Sequence, residues 1–362
     1  MQINELLKLL IEKGASDLHL MVASPPVFRI DGKIVTQNDF APLSQKDMEE
    51  IFNVIASQEQ RDNFYRELEL DFAYSIPGIS RFRVSVLRQR GTLGFTFRAV
   101  PFGIPTIDEL KLPAICKELV LKPRGLILVT GPTGSGKSTT MAAMVNYLND
   151  TEARKVITIE DPIEYLYRHK KCIIAQRELG DDTRSFSAAL IHALRQDPNV
   201  IVIGEIRDLA TVVTALRAAE TGHLVIGTLH TTDAPQTIDR IIDIFPPDQQ
   251  QQVRLQLSQV LEAVLSQALL PRVGGKGRVA AFEIMLATTA VRNLIREGRT
   301  SDLSNTIQLS SKDGMQTLDQ ALADLVKKRL ATKEDAMMKS SNPERLEKIL
   351  QYAGGKKTQG NI

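Results

Sequence analysis

Tryptophan is absent from the sequence, aromatic residues make up only 5%, and no apolar run approaches the length needed to cross a bilayer. Two cysteines, Cys116 and Cys172, are the whole thiol complement and form no C-x-x-C pair. That excludes a tetracysteine zinc site and a disulfide framework, and it fits a reducing cytoplasm. Charge of either sign is not in excess. Lys plus Arg number 45 against 43 for Asp plus Glu, a net +2 over 362 residues. This lacks the electrostatic footprint of a protein that binds nucleic acid or an acidic membrane, and scarce aromatics leave few stacking platforms for single strands. No signal peptide or transmembrane segment is expected, because the opening MQINELLKLLIEKG reads as an amphipathic helix. What remains is an ordinary soluble composition, 43% hydrophobic, sufficient for a large core and two or three domains.

The rhythm of the chain changes near residue 100. Before it, an apolar helical face (Ile3, Leu6, Leu7, Leu10, Ile11) ends at Gly14, and short strand-like runs follow at 17–21, 27–30 and 33–36, with Asp31-Gly32 as a hairpin turn. A capped helix from Ser44 to Ile55 and three more strands at 69–76, 81–88 and 93–100 complete a small α+β domain over 1–99 with an antiparallel sheet. Residues 100–113, rich in proline, read as a linker. Beyond it, strands at 125–130, 155–159, 172–175, 200–203 and 224–229 alternate with helical stretches, the pattern of a largely parallel sheet covered on both faces. From about Pro246 the chain reads as mostly helical. The second domain is taken as 114–353 with a helical C-terminal part, and 354–362 as a frayed tail.

Three clusters carry chemistry. GPTGSGKS at 131–138 fits the phosphate-binding loop G-x-x-x-x-G-K-[ST] between a strand and a helix. Gly131, Pro132, Thr133, Gly134, Ser135 and Gly136 would turn backbone N–H groups onto phosphate oxygens, aided by the helix N-terminus. Lys137 is expected at the β- and γ-phosphates of ATP, Ser138 on Mg²⁺, and Thr139 near the α-phosphate. The second cluster is the strand VIVI running into Gly204-Glu205-Ile206-Arg207. Glu205 occupies the place of a metal-linked carboxylate, with a local salt bridge to Arg207 or a helix-capping role as the alternative. A neighbouring strand end, ITIEDPIEY at 157–165, adds Glu160, Asp161 and Glu164. Glu164 is assigned to polarise the attacking water, and Glu160 or Asp161 to the metal shell or to structure. The third is GHLVIGTLHTT at 222–232. His223 and His230 are separated by a strand of roughly 23 Å, so only one, His230, can face a γ-phosphate; a buried hydrogen-bonded role is its alternative. Neither has a third metal ligand in view, so no zinc is expected.

Taken in order, GPTGSGKST, TIEDPIEY, VIVIGEIRD and GHLVIGTLHTT resemble the secretion and type IV pilus ATPase family over nearly the whole chain. GASDLHL at 14–20, TAVRNLIREG at 289–298 and GMQTLDQAL at 314–322 resemble its pilus retraction branch, with Val291 in place of that branch's isoleucine. The resemblance implies an α/β fold with a RecA-like P-loop NTPase domain and a smaller PAS-like N-terminal α+β domain. It further implies a homohexamer, Mg²⁺-dependent ATP hydrolysis coupled to pilus disassembly and twitching motility, and a cytoplasmic location, peripheral at the inner membrane, where a pilus platform protein and a paralogous retraction ATPase are partners. Family-like positions carry Arg83 and Arg98 toward the γ-phosphate as transition-state arginines. Alternatives are an accessory paralogue of the motor or a nucleotide-switched assembly scaffold with little turnover.

Overall fold

The computed structural model describes residues 2–100, 103–275 and 277–354. Part of the expected linker, 101–102, and the tail beyond 354 lie outside them. The chain divides into two compact units, one taking Met1–Gly103 with Pro162–Leu166 and Gly180–Asp182, the other the remainder.

The first unit is an α+β fold. Helix α1 (Ile3–Glu12) buries Ile3, Leu6, Leu7 and Leu10 along one face. Strands β1 (Asp17–Met21), β2 (Val27–Ile30), β3 (Lys33–Thr36), β4 (Glu69–Ile76), β5 (Ser80–Gln89) and β6 (Thr92–Ala99) form an antiparallel sheet in the order β3-β2-β1-β6-β5-β4. Asp31 and Gly32 both take positive φ, 48° and 79°, the backbone that a two-residue hairpin with matching twist requires. Helix α2 (Gln45–Ile55) starts in a capping box between Ser44 and Asp47. Helix α3 (Gln58–Glu67), which hydrophobic periodicity does not announce, buries Phe64 alone; a second capping box, Ser57 with Gln60, starts it. Phe64 then packs edge-on against Phe52, ring centroids 5.2 Å apart.

The second unit begins with α4 (Ile115–Val120) and is built on the seven-stranded sheet β13-β12-β7-β11-β10-β8-β9. Its strands are β7 (Gly125–Thr130), β8 (Lys155–Glu160), β9 (Ile173–Glu178), β10 (Val200–Ile203), β11 (Leu224–Leu229), β12 (Leu261–Pro271) and β13 (Arg278–Leu286). Every pairing is parallel except β12 with β13. Helices α5 (Lys137–Thr151), α6 (Phe186–Ala193), α7 (Leu209–Glu220) and α8 (Ala234–Asp243) are the crossovers that parallel pairing demands. After α9 (Pro247–Val260) the expectation of a mostly helical chain is corrected: β12 and β13 run through 261–286 before helices α10 (Thr289–Glu297), α11 (Leu303–Leu309), α12 (Leu318–Lys327), α13 (Lys333–Lys339) and α14 (Pro343–Gly354). The reason is physical. LEAVLSQALL is composed of good helix formers and shows no alternation, because β12 is flanked by β7 and β13 and is buried on both faces.

Candidate nucleotide-binding site

Parallel register brings four strand ends to one edge of the second unit. Thr130 of β7 stands opposite Leu229 of β11, and Ile203 of β10 opposite Gly227 of β11 and Ile159 of β8. The next residues on each strand are therefore neighbours: the loop from Gly131, His230, Gly204-Glu205 and Glu160. This is the crevice where open parallel sheets place ligands.

The 131–136 loop leads directly into α5, whose N-cap is Gly136. Gly131 has φ +141°, and a side chain there would meet Gln267 O at 2.4 Å and Ser135 Oγ at 2.6 Å, so only glycine fits between loop and β12. Pro132, Thr133 and Gly134 are exposed, Ser138 and Thr139 half-buried, and Ser135 and Lys137 buried. Lys137 Nζ folds back on the loop, donating to Gly131 O at 2.7 Å and Pro132 O at 3.2 Å. Ser135 Oγ is buried with no hydrogen-bond partner. A buried hydroxyl left unpaired in a loop of this geometry is what a phosphate oxygen would satisfy.

Lys137, His230 and Glu205 form one chain. Nζ of Lys137 is 3.5 Å from His230 Nδ1, and His230 Nε2 is 2.9 Å from Glu205 Oε1. An ionised Glu205 accepts only, so the network assigns the imidazole proton to Nε2 and leaves Nδ1 to accept from the ammonium. Arg207 Nη2 holds the other oxygen of Glu205 at 2.6 Å. Burial pushes the Glu205 pKa up, but hydrogen bonds from Arg207 and His230 outweigh it and hold the carboxyl below the usual glutamate range. The salt bridge to Arg207 that the sequence offered as the alternative is present, and His230 links the same carboxylate to the phosphate loop.

Gly204 lies against β8. A Cβ there would meet Ile159 O at 3.1 Å and Glu160 Cα at 3.2 Å, which accounts for glycine before the carboxylate. Its carbonyl accepts from Thr228 Oγ1 at 2.5 Å. Glu160 Oε1 accepts from Thr158 Oγ1 at 2.6 Å and Gln176 Nε2 at 3.1 Å, so this acid is fixed at the end of β8. His223 sits at the opposite end of β11, its Nδ1 3.0 Å from Ala218 O. Sequence reasoning did not find the polar support from β12: Gln267 Oε1 accepts from Thr140 Oγ1, and Thr130 Oγ1 donates to Ser266 Oγ, both at 2.8 Å in the interior. The signal was there as Ser-Gln interrupting the apolar run of β12, a costly pair to bury without partners.

Asp161, next to Glu160 and exposed, ends the same stretch of the second unit, whereas Glu164, Arg83 and Arg98 belong to the first. Glu164 is exposed, within Pro162–Leu166. Arg83 and Arg98 are exposed and directly opposite each other on β5 and β6. Arg98 Nε donates to Asp17 Oδ1 at 2.8 Å. Burial works against ionised Asp17, but Ser16 and Arg98 outweigh it and keep its pKa low. These residues are not brought together with Lys137 by any contact within the second unit.

Residues 106–338 match the family model described as "Type II/IV secretion system protein". The chain belongs to this family. It is 49% identical to "Type IV pilus retractation ATPase PilT" of Pseudomonas aeruginosa, over 95% of this chain and 99% of the relative. With "Type IV pilus ATPase PilU" of the same organism it shares 44% identity, over 93% and 88%. Its fold is similar to the crystal structure of the pilus retraction motor PilT with bound ADP, TM-score 0.88 at 50% identity, covering 96% of this chain and 99% of that one. The fold of this family member is accordingly an N-terminal α+β domain followed by a RecA-like P-loop domain.

Proposed function

We propose that this chain is a P-loop ATPase that, as a homohexamer, powers type IV pilus retraction and twitching motility. The observation that carries the reading is the Lys137–His230–Glu205 chain at the mouth of a phosphate loop with a buried, unpartnered Ser135 hydroxyl. The near full-length likeness to a pilus retraction ATPase supports the cellular role.

In this reading Lys137 exchanges Gly131 O and Pro132 O for the β- and γ-phosphate oxygens of ATP. His230, released from the ammonium, turns its Nε2–H from Glu205 to the γ-phosphate, so that the phosphate and Glu205 compete for one donor. Ser138 and Glu205 would hold Mg²⁺, Glu205 in part through water. The donor set fits: a hydroxyl and a carboxylate held ionised are hard oxygen ligands, and magnesium commonly relies on one or two protein oxygens, phosphate and water. Bound magnesium would neutralise charge on the phosphoryl oxygens. Glu164 orients the attacking water. Arg83 and Arg98, directly opposite each other on β5 and β6, act as transition-state arginines, Arg98 exchanging Asp17 for the phosphoryl oxygens. The protein works in the cytoplasm, peripheral at the inner membrane, against a pilus platform protein and with a paralogous retraction ATPase.

Lys137→Ala should abolish steady-state hydrolysis; near-normal turnover in that variant removes the mechanism. Deletion of the gene separates cellular roles: hyperpiliated, non-twitching cells support retraction, and bald cells point to extension. A second reading, accessory paralogue, draws on the 44% identity to a PilU ATPase. Deletion cells that still twitch would favour it. A tight ATP binder without turnover, even with the pilus machinery present, would favour a nucleotide-switched scaffold.

A further inference from the structure

Glu283 of β13 is a buried acid, 6% exposed, that the hydrolytic site does not use. Its Oε1 accepts from the backbone N–H of Ala234, the first residue of α8, at 2.8 Å. The backbone N–H of Leu318, the first residue of α12, is directed at the same carboxyl. Each helix already has a side-chain cap: Asp233 accepts from Gln236 N, and Thr317 from Gln320 N. Glu283 takes the orphan donor that the local cap leaves at the start of α8, and its charge faces the N-terminus of α12.

The two helices come from different motifs. α8 begins four residues after His230. α12 begins inside GMQTLDQAL, a segment for which the phosphate chemistry has no use. That segment is fastened to β13 on either side of Glu283: Ile284 N–H donates to Gln316 O at 2.8 Å, and Gln316 Nε2 to Phe282 O at 2.9 Å. Asp233 faces the carboxyl from α8, and Asp319 from α12, where Asp319 accepts from Ser340 Oγ at 2.6 Å. The partial positive charge of two helix N-termini offsets this gathering of acids.

We infer that Glu283 is a positioning residue that joins the starts of α8 and α12, so that rearrangement at His230 is transmitted to the GMQTLDQAL segment. The inference rests on reading His230 as a nucleotide-facing residue. Its physical basis is that the carboxyl hydrogen-bonded to the start of α8 stands between the two β13 residues that hold Gln316, beside the start of α12, and a buried N–H that loses its acceptor is costly.

Hydrogen exchange read by mass spectrometry on the full chain, with and without a non-hydrolysable ATP analogue, tests it. In Glu283→Gln the amide offers an NH₂ where one of the two donors points. Peptides covering both helix starts, 230–240 and 314–322, should exchange about tenfold faster without nucleotide, the scale of one lost buried hydrogen bond. Acceleration at one start only, or at neither, overturns the bracket whatever the protein hydrolyses. In wild type the analogue should alter exchange in both peptides, and in the variant the response at 314–322 should vanish while affinity for the analogue is kept. A variant that retains that response refutes the coupling. Should Glu283→Gln not fold, Glu283→Asp keeps the charge but is one methylene too short to span both helices, and the same loss is expected. The analogue bound to wild type without any change in 230–240 would count instead against the reading of His230.

Discussion

At the scale of single residues, the site is governed by who holds the proton and who holds the charge. Glu205 is kept ionised by Arg207 and His230, so its carboxylate is available at neutral pH for a cation. Glu205→Gln should leave nucleotide binding largely intact and lower kcat by about 10² or more, the scale for removing a preorganised charged group; a turnover assay with Mg²⁺ in excess measures it, and an unchanged kcat would remove Glu205 from the mechanism. Glu283 behaves in the opposite sense. Burial, with Asp233 and Asp319 nearby, pushes its pKa up to about 7, despite the N–H groups it accepts from. A folded pKa above the unfolded value means that the contribution to stability is full below the ordinary glutamate range. It is lost as pH rises through about 7. Melting curves from pH 5 to pH 8 should therefore decline more steeply in wild type than in Glu283→Gln, by no more than about 3 kcal/mol. Parallel curves would show that Glu283 does not titrate in that window.

Among elements, α10 shows how a motif can be structural first. Val291 and Ile295 are buried and Leu294 half-buried, as helical spacing predicts. Arg292 does not project into solvent. Its Nη1 donates to Ser258 O and Gln259 O, each at 2.8 Å, and its Nη2 to Glu262 Oε1 at 3.1 Å. It thereby takes up orphan carbonyls at the end of α9, where a cation also suits the helix dipole. Arg292→Ala should cost about 1–3 kcal/mol, read as a lower melting temperature with ADP affinity retained; loss of ADP binding at an unchanged melting temperature would assign the residue a different role. The same scale explains what periodicity missed. Helix α3 is held by its capping box and one aromatic anchor, and β12 by burial on both faces, so neither displays the amphipathic stripe that local reading depends on.

For the molecule as a whole, the proposed ring makes function depend on copies acting together. Light scattering with a non-hydrolysable ATP analogue should give a six-subunit mass, and a monomer under those conditions would defeat the ring. Adding Lys137→Ala subunits should lower the ATPase rate more steeply than dilution alone if arginines such as Arg83 and Arg98 act in trans, and Arg83→Ala should lower kcat by about 10³ with ADP affinity kept; a linear titration contradicts trans action. Much of the fold and site could be read directly. The phosphate loop, Glu160 and Glu205 at neighbouring strand ends, the opposite placement of His223 and His230, and the parallel alternation all rest on local spacing or period.

That limit is physical. Glycines at fixed spacing before a lysine, and strands that end in acids, encode their chemistry within a few residues, so sequence alone determined the phosphate loop and its candidate metal carboxylate. Gln267 behind the loop, the His230 bridge from Lys137 to Glu205, and Glu283 between two helix starts join residues up to 127 positions apart. Only strand order and register decide which of those side chains meet, because long-range pairing depends on the packing of whole elements and leaves no local period to read.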